Sequence, residues 1–343
     1  MNYYVNSVSG NDTNVGTDIN LPLLTLTKVP NSANVIILND YIQEIKLSGK
    51  KNVNITKAST VPILKTSFIA LSGCSNIKIS NVSVSVSYFV PTSILPKASG
   101  KGITLGSCES CTIDKCELFS QRSTAGWTPA DWVSNAAGIL ISGGSGNKIL
   151  GCKVLNCGGI QIKGKNNLVD SNFVSDFPTD GMGIWASGNT VTNNIIQNSH
   201  KVNANHNDLL QCGTSSNNTI IGNTLRAYTD PKQPYIARDV QGLGCFDGWY
   251  DNFVVRNNTV IVDHPIGIWF QGIKNSVIDG NTVKICGSTL YKSRTPCVFV
   301  DVKKSGDASS NITVTNNVAP HFELLSGVVT QSNNYSTDAK KLI

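Results

Sequence analysis

The chain has 343 residues, of which 15% are charged and 7% are aromatic, and its formal net charge at pH 7 is +6. Its length would accommodate two domains of ordinary size. The charged residues are scattered and form no runs, so the composition argues against nucleic acid as a partner and favours a polyanion only mildly. No apolar run approaches the length of a membrane span, so no membrane partner is expected either.

Residues 1–50 are interpreted as an N-terminal cap and first turn, because the copies of the repeat described next begin after them. The first residues, Met1-Asn-Tyr-Tyr, show no signal-peptide pattern, so synthesis in a cytosol is expected. A virus- or phage-encoded protein that acts outside the cell, or as part of a virion, would fit this expectation.

A phrase bounded by asparagines recurs through residues 51–335. Its strongest copies are Asn76–Asn81, Asn189–Asn194, Asn218–Asn223, Asn275–Asn281 and Asn311–Asn317. Each is paired with a short strand led by glycine, as at Gly138, Gly159 and Gly267. Both segments alternate apolar and polar residues, which is typical of half-buried strands. The closest anchors are roughly 20–24 residues apart, which leaves no room for crossover helices, so equivalent strands must pair in parallel.

The repeat therefore predicts one elongated all-β domain, a solenoid of about ten turns over residues 51–335, with a C-terminal tail at 336–343. Each turn is expected to contain the glycine-led strand and one continuous Asn-flanked strand, such as Val191 to Ile196 or Ile278 to Val283. Asparagine tolerates left-handed backbone conformations and bonds nearby backbone groups. Stacked turns should place asparagine over asparagine, in hydrogen-bonded ladders.

The ten cysteines are interpreted as reduced core residues, because several occupy apolar positions of the repeat. Cys212, for example, occupies the position filled by Ile184 in the preceding turn. Cys108-x-x-Cys111 with Cys116 lacks a matching second pair or a histidine, so no metal site is predicted there.

The opening from Tyr3 to Thr17, followed by Pro22-Leu-Leu-Thr25-Leu26, resembles the opening of right-handed parallel β-helix proteins. This pectate-lyase-like superfamily includes polysaccharide lyases of the alginate-lyase and chondroitinase type and glycan-processing spikes of viruses and phages. The Gly-Ile strands and Asn phrases resemble its repeats. The resemblance implies a single-stranded right-handed parallel β-helix with a polysaccharide ligand, although function depends on the site and not on the scaffold. The strings typical of polygalacturonase-type hydrolases are absent, which counts against that inverting hydrolase.

Long insertions occur between the Asn strand and the next Gly-Ile strand, at residues 87–101, 121–137, 227–243 and 287–296. All leave from one corner of the repeat, so they should line one edge of the solenoid and carry function. The glycine-led strands would form a floor beside this wall. Counting the alternation, the outward residues of the floor are Gln161, Lys163, Gly183, Trp185, Gln211, Asp247, Trp249, Trp269, Gln271, Phe299 and Asp301.

This outward row combines aromatic rings with amides and carboxylates, which suit the apolar faces and hydroxyl rims of sugars. It predicts a carbohydrate groove, in which Trp185, Gln211, Asp247, Trp249, Trp269, Gln271 and Asp301, together with Asp180, bind substrate. The alternative is that the tryptophans only cover the sheet or pack under the loops.

The string His206-Asn-Asp208-Leu-Leu-Gln211 places His206 and Asp208 at the start of a floor strand. Histidine titrates near neutral pH, so His206 is a candidate general base. Asp208 could orient it or bind a cation, and Asp180 opens the preceding floor strand. The alternative is a turn whose side chains satisfy backbone groups.

The leading functional prediction is a lyase that cleaves an acidic, uronic-acid polysaccharide by β-elimination. His206 or Lys163 would remove the C5 proton, and Arg238, Gln211 or a cation such as Ca²⁺ would neutralise the carboxylate. A uronan C5-epimerase would use the same proton abstraction.

Two other classes remain open. A glycoside hydrolase would need a carboxylate pair drawn from Asp180, Asp208, Asp239 and Asp247. A non-catalytic glycan-binding spike would need none. The sequence leaves both a monomer and a homotrimer open.

Overall fold

The structure, a computed structural model, describes residues 1–88, 102–135, 137–204, 206–287, 294–303, 305–306 and 308–337. Three long sheets, in which all strands pair in parallel, run along the molecule. Successive strands of one turn belong to different sheets, and equivalent strands of successive turns pair with one another. This arrangement is a parallel β-helix, as the repeat predicts.

The first sheet contains the leading part of each Asn phrase. Its strands are Asn2–Val5, Asn34–Ile37, Asn54–Lys57, Lys78–Ser80, Thr112–Asp114, Lys148–Leu150, Leu168–Asp170, Thr190–Thr192, Ser215–Ser216, Thr219–Ile221, Tyr250–Asp251, Val254–Arg256, Ile273–Asp279, Ser310–Thr315 and Val329–Ser332. Asn2–Val5 pairs in parallel with Asn34–Ile37, so residues 1–50 already contain strands of this sheet.

The second sheet contains the trailing part of each phrase. Its strands are Leu64–Thr66, Val82–Val84, Glu117–Phe119, Lys153–Leu155, Phe173–Phe177, Ile195–Ser199, Thr224–Arg226, Thr259–Val262, Thr282–Ile285, Val318–Ala319 and Tyr335–Ser336.

The third sheet contains the glycine-led strands. They are Ile45–Ser48, Ile69–Ser72, Ile103–Gly106, Ile139–Ile141, Ile160–Ile162, Met182–Ile184, Asp208–Cys212, Gln241–Cys245, Ile266–Gln271, Cys297–Asp301 and His321–Leu324. In the described part of the chain, Cys108–Glu109 also pairs with Gly144–Ser145, and the helical segments are a 3₁₀ turn at Val86–Tyr88 and an α-helix at Pro129–Ser134. Within the described ranges, no helix is long and apolar enough to span a membrane.

The prediction of one continuous Asn-flanked strand per turn is wrong. The segment from Val191 to Ile196 is divided between the first and second sheets, and so is the segment from Ile278 to Val283. The division falls at Asn193 and Gly280, whose φ angles of 55° and 65° are left-handed. A residue in this conformation bends the chain, so the residues after it join the next sheet.

The predicted asparagine ladder is confirmed, and it lies inside the molecule. From Asn172 through Asn194, Asn223, Asn258 and Asn281 to Asn317, each side-chain amide donates to Oδ1 of the next asparagine at 2.9–3.0 Å. The backbone N–H of each donates to the same oxygen. Buried amides need such partners, because an orphaned polar group costs roughly 1–3 kcal/mol.

The core between the sheets is a thin aliphatic column in which cysteines act as small apolar residues. Nine of the ten cysteines are buried, and Cys286 is partly exposed. Cys212 pairs in register with Ile184, as the repeat predicts. Outside this core, the third sheet presents an outer face that positions the candidate site.

Candidate functional site

The outer face of the third sheet forms the floor. Strand register places Gln161, Gly183, Gln211, Gly244, Trp269 and Phe299 in one continuous row. The predicted outward residues Gln161, Gln211, Trp269 and Phe299 therefore lie in line along the axis. Alternation along a strand fixes this outcome, because residues two apart share a face.

Asp208 lies at the centre of the floor, at the start of its strand. A Cβ atom on Gly244 would lie 3.2 Å from Oδ1 of Asp208 and 2.6 Å from the ring of Phe246. The carboxyl group and the phenyl ring thus meet over a glycine in the next turn, where any larger residue would displace them. Sequence reasoning missed both Gly244 and Phe246.

The Asp208 carboxyl group is fully buried, and among the described residues neither oxygen has a hydrogen-bond partner. Burial, with the nearby negative charges of Asp180 and Asp247, raises the pKa of Asp208 to about 8. A buried carboxyl group without donors favours its neutral form. Asp208 therefore holds a proton at neutral pH and can give it up.

Two further predicted residues accompany Asp208. Asp180 is half-buried, and its Oδ1 accepts the backbone N–H of Asp208 at 3.0 Å. Burial raises the pKa of Asp180, and the Asp208 amide and His206 partly offset this effect. Asp247 is exposed, and its Oδ2 lies 3.5 Å from Nε2 of Gln211. We call Asp180, Asp208 and Asp247 the acid cluster; these oxygens are also of the kind that Ca²⁺ prefers.

His206 lies at the edge of the acid cluster. Its Nδ1 is 3.5 Å from Oδ2 of Asp208, and 56% of its side chain is exposed. Its ring lies 6.3 Å from that of Phe246. The imidazole is thus exposed to solvent beside the buried carboxyl group.

The two predicted cations lie apart from each other. Lys163 is exposed and lines a cavity of about 680 Å³ on the floor, together with Thr104, Gln161, Thr179 and Trp185. Arg238 contacts the hydroxyl group of Tyr228, which in turn donates to Asp263. Lys163 therefore lies on the floor, whereas Arg238 lies beside Tyr228, and neither is among the charges that shift the pKa of Asp208.

The aromatic residues fall into different surroundings. Trp185 is 37% exposed and lines the floor cavity. Trp269 stacks on Phe299 with 3.6 Å between ring centroids. Trp249, predicted on the floor, lies past the end of its strand, with the amines of Lys274 and Lys303 at 4.5 and 5.0 Å from its ring. The last predicted pair, Gln271 and Asp301, is in register beyond Trp269 and Phe299.

Loops between the second and third sheets pack against one another. Trp132 of the α-helix stacks on His200 with 4.0 Å between ring centroids. Nδ1 of His200 donates to the carbonyl of Pro234, and Nε2 lies 3.0 Å from Oδ1 of Asp176. Two of the four predicted insertions are thereby joined. Most of the other two, residues 89–101 and 288–293, lie outside the described residues.

Comparisons with known proteins agree with this architecture. Residues 67–228 match the family model described as the right handed beta helix region. Among curated proteins, none matches the chain in sequence.

Three solved structures share the fold at low identity. The surface protein and adhesin PfbA of Streptococcus pneumoniae is 10% identical, with 89% of each chain covered and a TM-score of 0.57. The endo-xylogalacturonan hydrolase of Aspergillus tubingensis is 11% identical, with 90% of each chain covered and a TM-score of 0.55. The Dettilon tailspike protein is 14% identical over 89% of this chain, with a TM-score of 0.52; this chain spans 60% of its length.

Proposed function

We propose that this chain, which is a right-handed parallel β-helix protein, hydrolyses a glycosidic bond of a polysaccharide, with Asp208 as the general acid. The observation that carries the proposal is the buried carboxyl group of Asp208, which accepts no hydrogen bond from the described residues and lies beside the exposed side chains of His206 and Asp247. A glycosidase needs one carboxyl group that holds a proton and a second that is charged. Asp247 is exposed, and its negative charge is one of the causes that raise the pKa of Asp208.

The reaction transfers two protons. Because Asp208 is buried in the free chain, a bound substrate would have to displace the cover beside Phe246. Asp208 then gives its proton to the glycosidic oxygen, and the bond between that oxygen and the anomeric carbon breaks. Asp247 takes a proton from water, and the resulting hydroxide bonds to the anomeric carbon. Asp180 acts on Asp208 as a positioning residue, because it accepts the Asp208 amide and contributes the negative charge that helps to keep the proton in place.

The floor offers surfaces for the sugars on one side of this cluster. The cavity of about 680 Å³ has the ring of Trp185 for an apolar sugar face, and Gln161 and Thr104 for hydroxyl groups. Lys163 adds a positive charge that would favour an acidic sugar. The cavity also includes Thr179, which directly precedes Asp180, so a chain bound there would reach the acid cluster.

Elimination is the second candidate, and the exposed imidazole of His206 favours it. His206 would remove the C5 proton, while the protonated Asp208 would donate to the substrate. Arg238 gains no role from its position beside Tyr228, so Lys163 is the remaining cation for a uronate. Hydrolysis ranks first because it needs only Asp208 and Asp247 of the acid cluster, whereas elimination also needs a cation at the uronate carboxylate, and Lys163 lines the floor cavity and not the acid cluster.

The test is a panel of neutral and acidic polysaccharides, read for new reducing ends and for the absorbance of unsaturated uronates, with and without EDTA. We expect reducing ends without unsaturation, lost in Asp208→Asn and Asp247→Asn. Asp251→Asn, an exposed aspartate of the first sheet, is the matched control and should remain active. Unsaturated product lost in His206→Ala would establish elimination instead. No product on any polymer, or full activity in Asp208→Asn, would overturn the proposal.

A further inference from the structure

A second cluster of ionisable side chains lies at the C-terminal end of the third sheet. Cys297 and His321 begin neighbouring strands and face each other in register. Glu323 lies two residues after His321 on the same strand. One sulfur, nitrogen or oxygen atom from each of the three residues lies within 4.8 Å of the others.

The hydrogen bonds of His321 fix the orientation of its ring within this cluster. Nδ1 lies 2.8 Å from the hydroxyl oxygen of Thr295, and Nε2 lies 2.9 Å from Oε1 of Glu323. When Nδ1–H donates to Thr295, Nε2 points its lone pair at a carboxylate oxygen that is also electron-rich. A cation beside both atoms would satisfy them, and an outer partner that fixes the other ring nitrogen is typical of metal-bound histidines.

Burial supports a ligand role for the other atoms. The thiol of Cys297 is 1% exposed and points at the carbonyl of Pro265, 3.4 Å away. His321 is 4% exposed, whereas the side chain of Glu323 is 46% exposed and leaves a route from solvent. Thiolate, imidazole and carboxylate together are a donor set that suits zinc, whereas calcium and magnesium take oxygen ligands only.

We propose that Cys297, His321 and Glu323 bind one Zn²⁺ ion, with water as the fourth ligand. Binding would replace the thiol proton of Cys297 with the metal and release that proton to solvent. Because its ligands come from two neighbouring strands, the ion would cross-link the last two turns of the third sheet. This inference is independent of the acid cluster and of any activity on glycans.

The test is a titration of the EDTA-treated and dialysed full chain with ZnCl₂ by calorimetry, with thermal unfolding measured alongside. We expect one Zn²⁺ per chain and a higher Tm in zinc than in EDTA. Co²⁺ should give a thiolate-to-cobalt absorption band that disappears in Cys297→Ser. His321→Ala and Glu323→Gln should abolish stoichiometric binding, and Thr295→Val should weaken it about 10- to 100-fold.

Cys286→Ser is the matched control, because Cys286 is the partly exposed thiol and the one that would trap zinc adventitiously. It should leave the titration unchanged. Glu323→Gln alters a side chain that is half exposed, so circular dichroism should show an intact fold when binding is lost. Failure of the unaltered chain to bind zinc, binding that persists in Cys297→Ser, or loss of binding in Cys286→Ser would each overturn the proposal.

Discussion

The indole N–H of Trp185 donates a 2.7 Å hydrogen bond to Oε1 of Gln161, which belongs to the preceding turn of the floor. The bond spans two strands and holds a partly exposed ring flat beside the cavity. Because this bond occupies the side-chain carbonyl of Gln161, the amide N–H groups of that residue are the ones left for a ligand. One residue thus supplies an aromatic surface and orients its neighbour.

The first prediction distinguishes the effect of the Trp185 ring surface from the effect of its hydrogen bond to Gln161. Trp185→Ala should weaken glycan binding about two- to tenfold, because an aromatic contact is worth about 0.5–1.5 kcal/mol. Trp185→Phe keeps a ring but frees Gln161, so it should lose less affinity. Affinity electrophoresis in gels containing the polymer would measure both. Equal losses in the two variants would show that the N–H bond, and not the ring surface, carries the effect.

Asp208→Asn should stabilise the protein in a pH-dependent way. The unfolded chain releases the Asp208 proton near pH 4, whereas the folded chain keeps it up to about pH 8. Between these values the folded state binds more protons, so its stability falls as the pH rises. Each unit of pKa shift corresponds to about 1.4 kcal/mol. Removing the group should therefore raise the free energy of unfolding by a few kcal/mol at pH 8.5 and by little at pH 4.

Urea denaturation at the two pH values would measure this difference. Asp251→Asn provides the control, because that aspartate is exposed and its replacement should change stability equally at both pH values. An Asp208→Asn variant that gains nothing at pH 8.5 would contradict the burial of a carboxyl group that accepts no hydrogen bond. A variant that is more stable yet inactive would identify Asp208 as a residue kept for function.

The pH dependence of activity offers a further prediction. If Asp208 is the general acid, activity should fall as the pH rises through about 8, where its proton is lost. Asp180→Asn removes one of the negative charges that raise this pKa, and its amide oxygen can still accept the Asp208 N–H. The alkaline limb should then move to lower pH. An unchanged limb in Asp180→Asn would mean that another group controls it.

The internal ladder should be sensitive to single changes. In Asn258→Ala, the N–H groups of Asn223, the carbonyl of Ile220 and Oδ1 of Asn281 lose partners. With buried orphans costing about 1–3 kcal/mol each, we expect a loss of roughly 3–5 kcal/mol or more in the free energy of unfolding. Asn252→Gly is the control, since Asn252 is exposed and its left-handed φ of 55° suits glycine. The loss in Asn252→Gly should stay below about 1 kcal/mol, as is usual for surface substitutions.

Sequence periodicity predicts the solenoid because each turn repeats the same short-range chemistry. The register of Gln161, Gln211 and Trp269 follows from alternation alone. The division of each Asn phrase into two strands was missed, because a left-handed asparagine can bend a strand into a corner or merely interrupt it. The torsion angle at Asn193, and not its identity, decides between these outcomes.

The site was predictable only in part. Spacing brings Asp180, His206 and Asp208 together, since all three precede floor strands or open them. The burial of Asp208 depends on Phe246 and Gly244, which come from the next turn, so no local pattern reveals it. Arg238 belongs to a long loop, where the sequence gives its position along the chain but not the direction of its side chain.

The regular stacking of the turns also fixes the length of the floor. Neighbouring strands in a sheet are about 4.8 Å apart, so the eleven strands of the third sheet extend over about 48 Å. Gln161 and Gln211, two strands apart, stand about 10 Å from each other along this axis. The floor therefore presents one outward residue of this row per turn, at a constant spacing of about 4.8 Å. A polymer lying along the axis would meet these residues at regular intervals. Inserting or deleting one whole turn would shift every floor residue on one side of the change by one strand spacing and leave the residues on the other side in place.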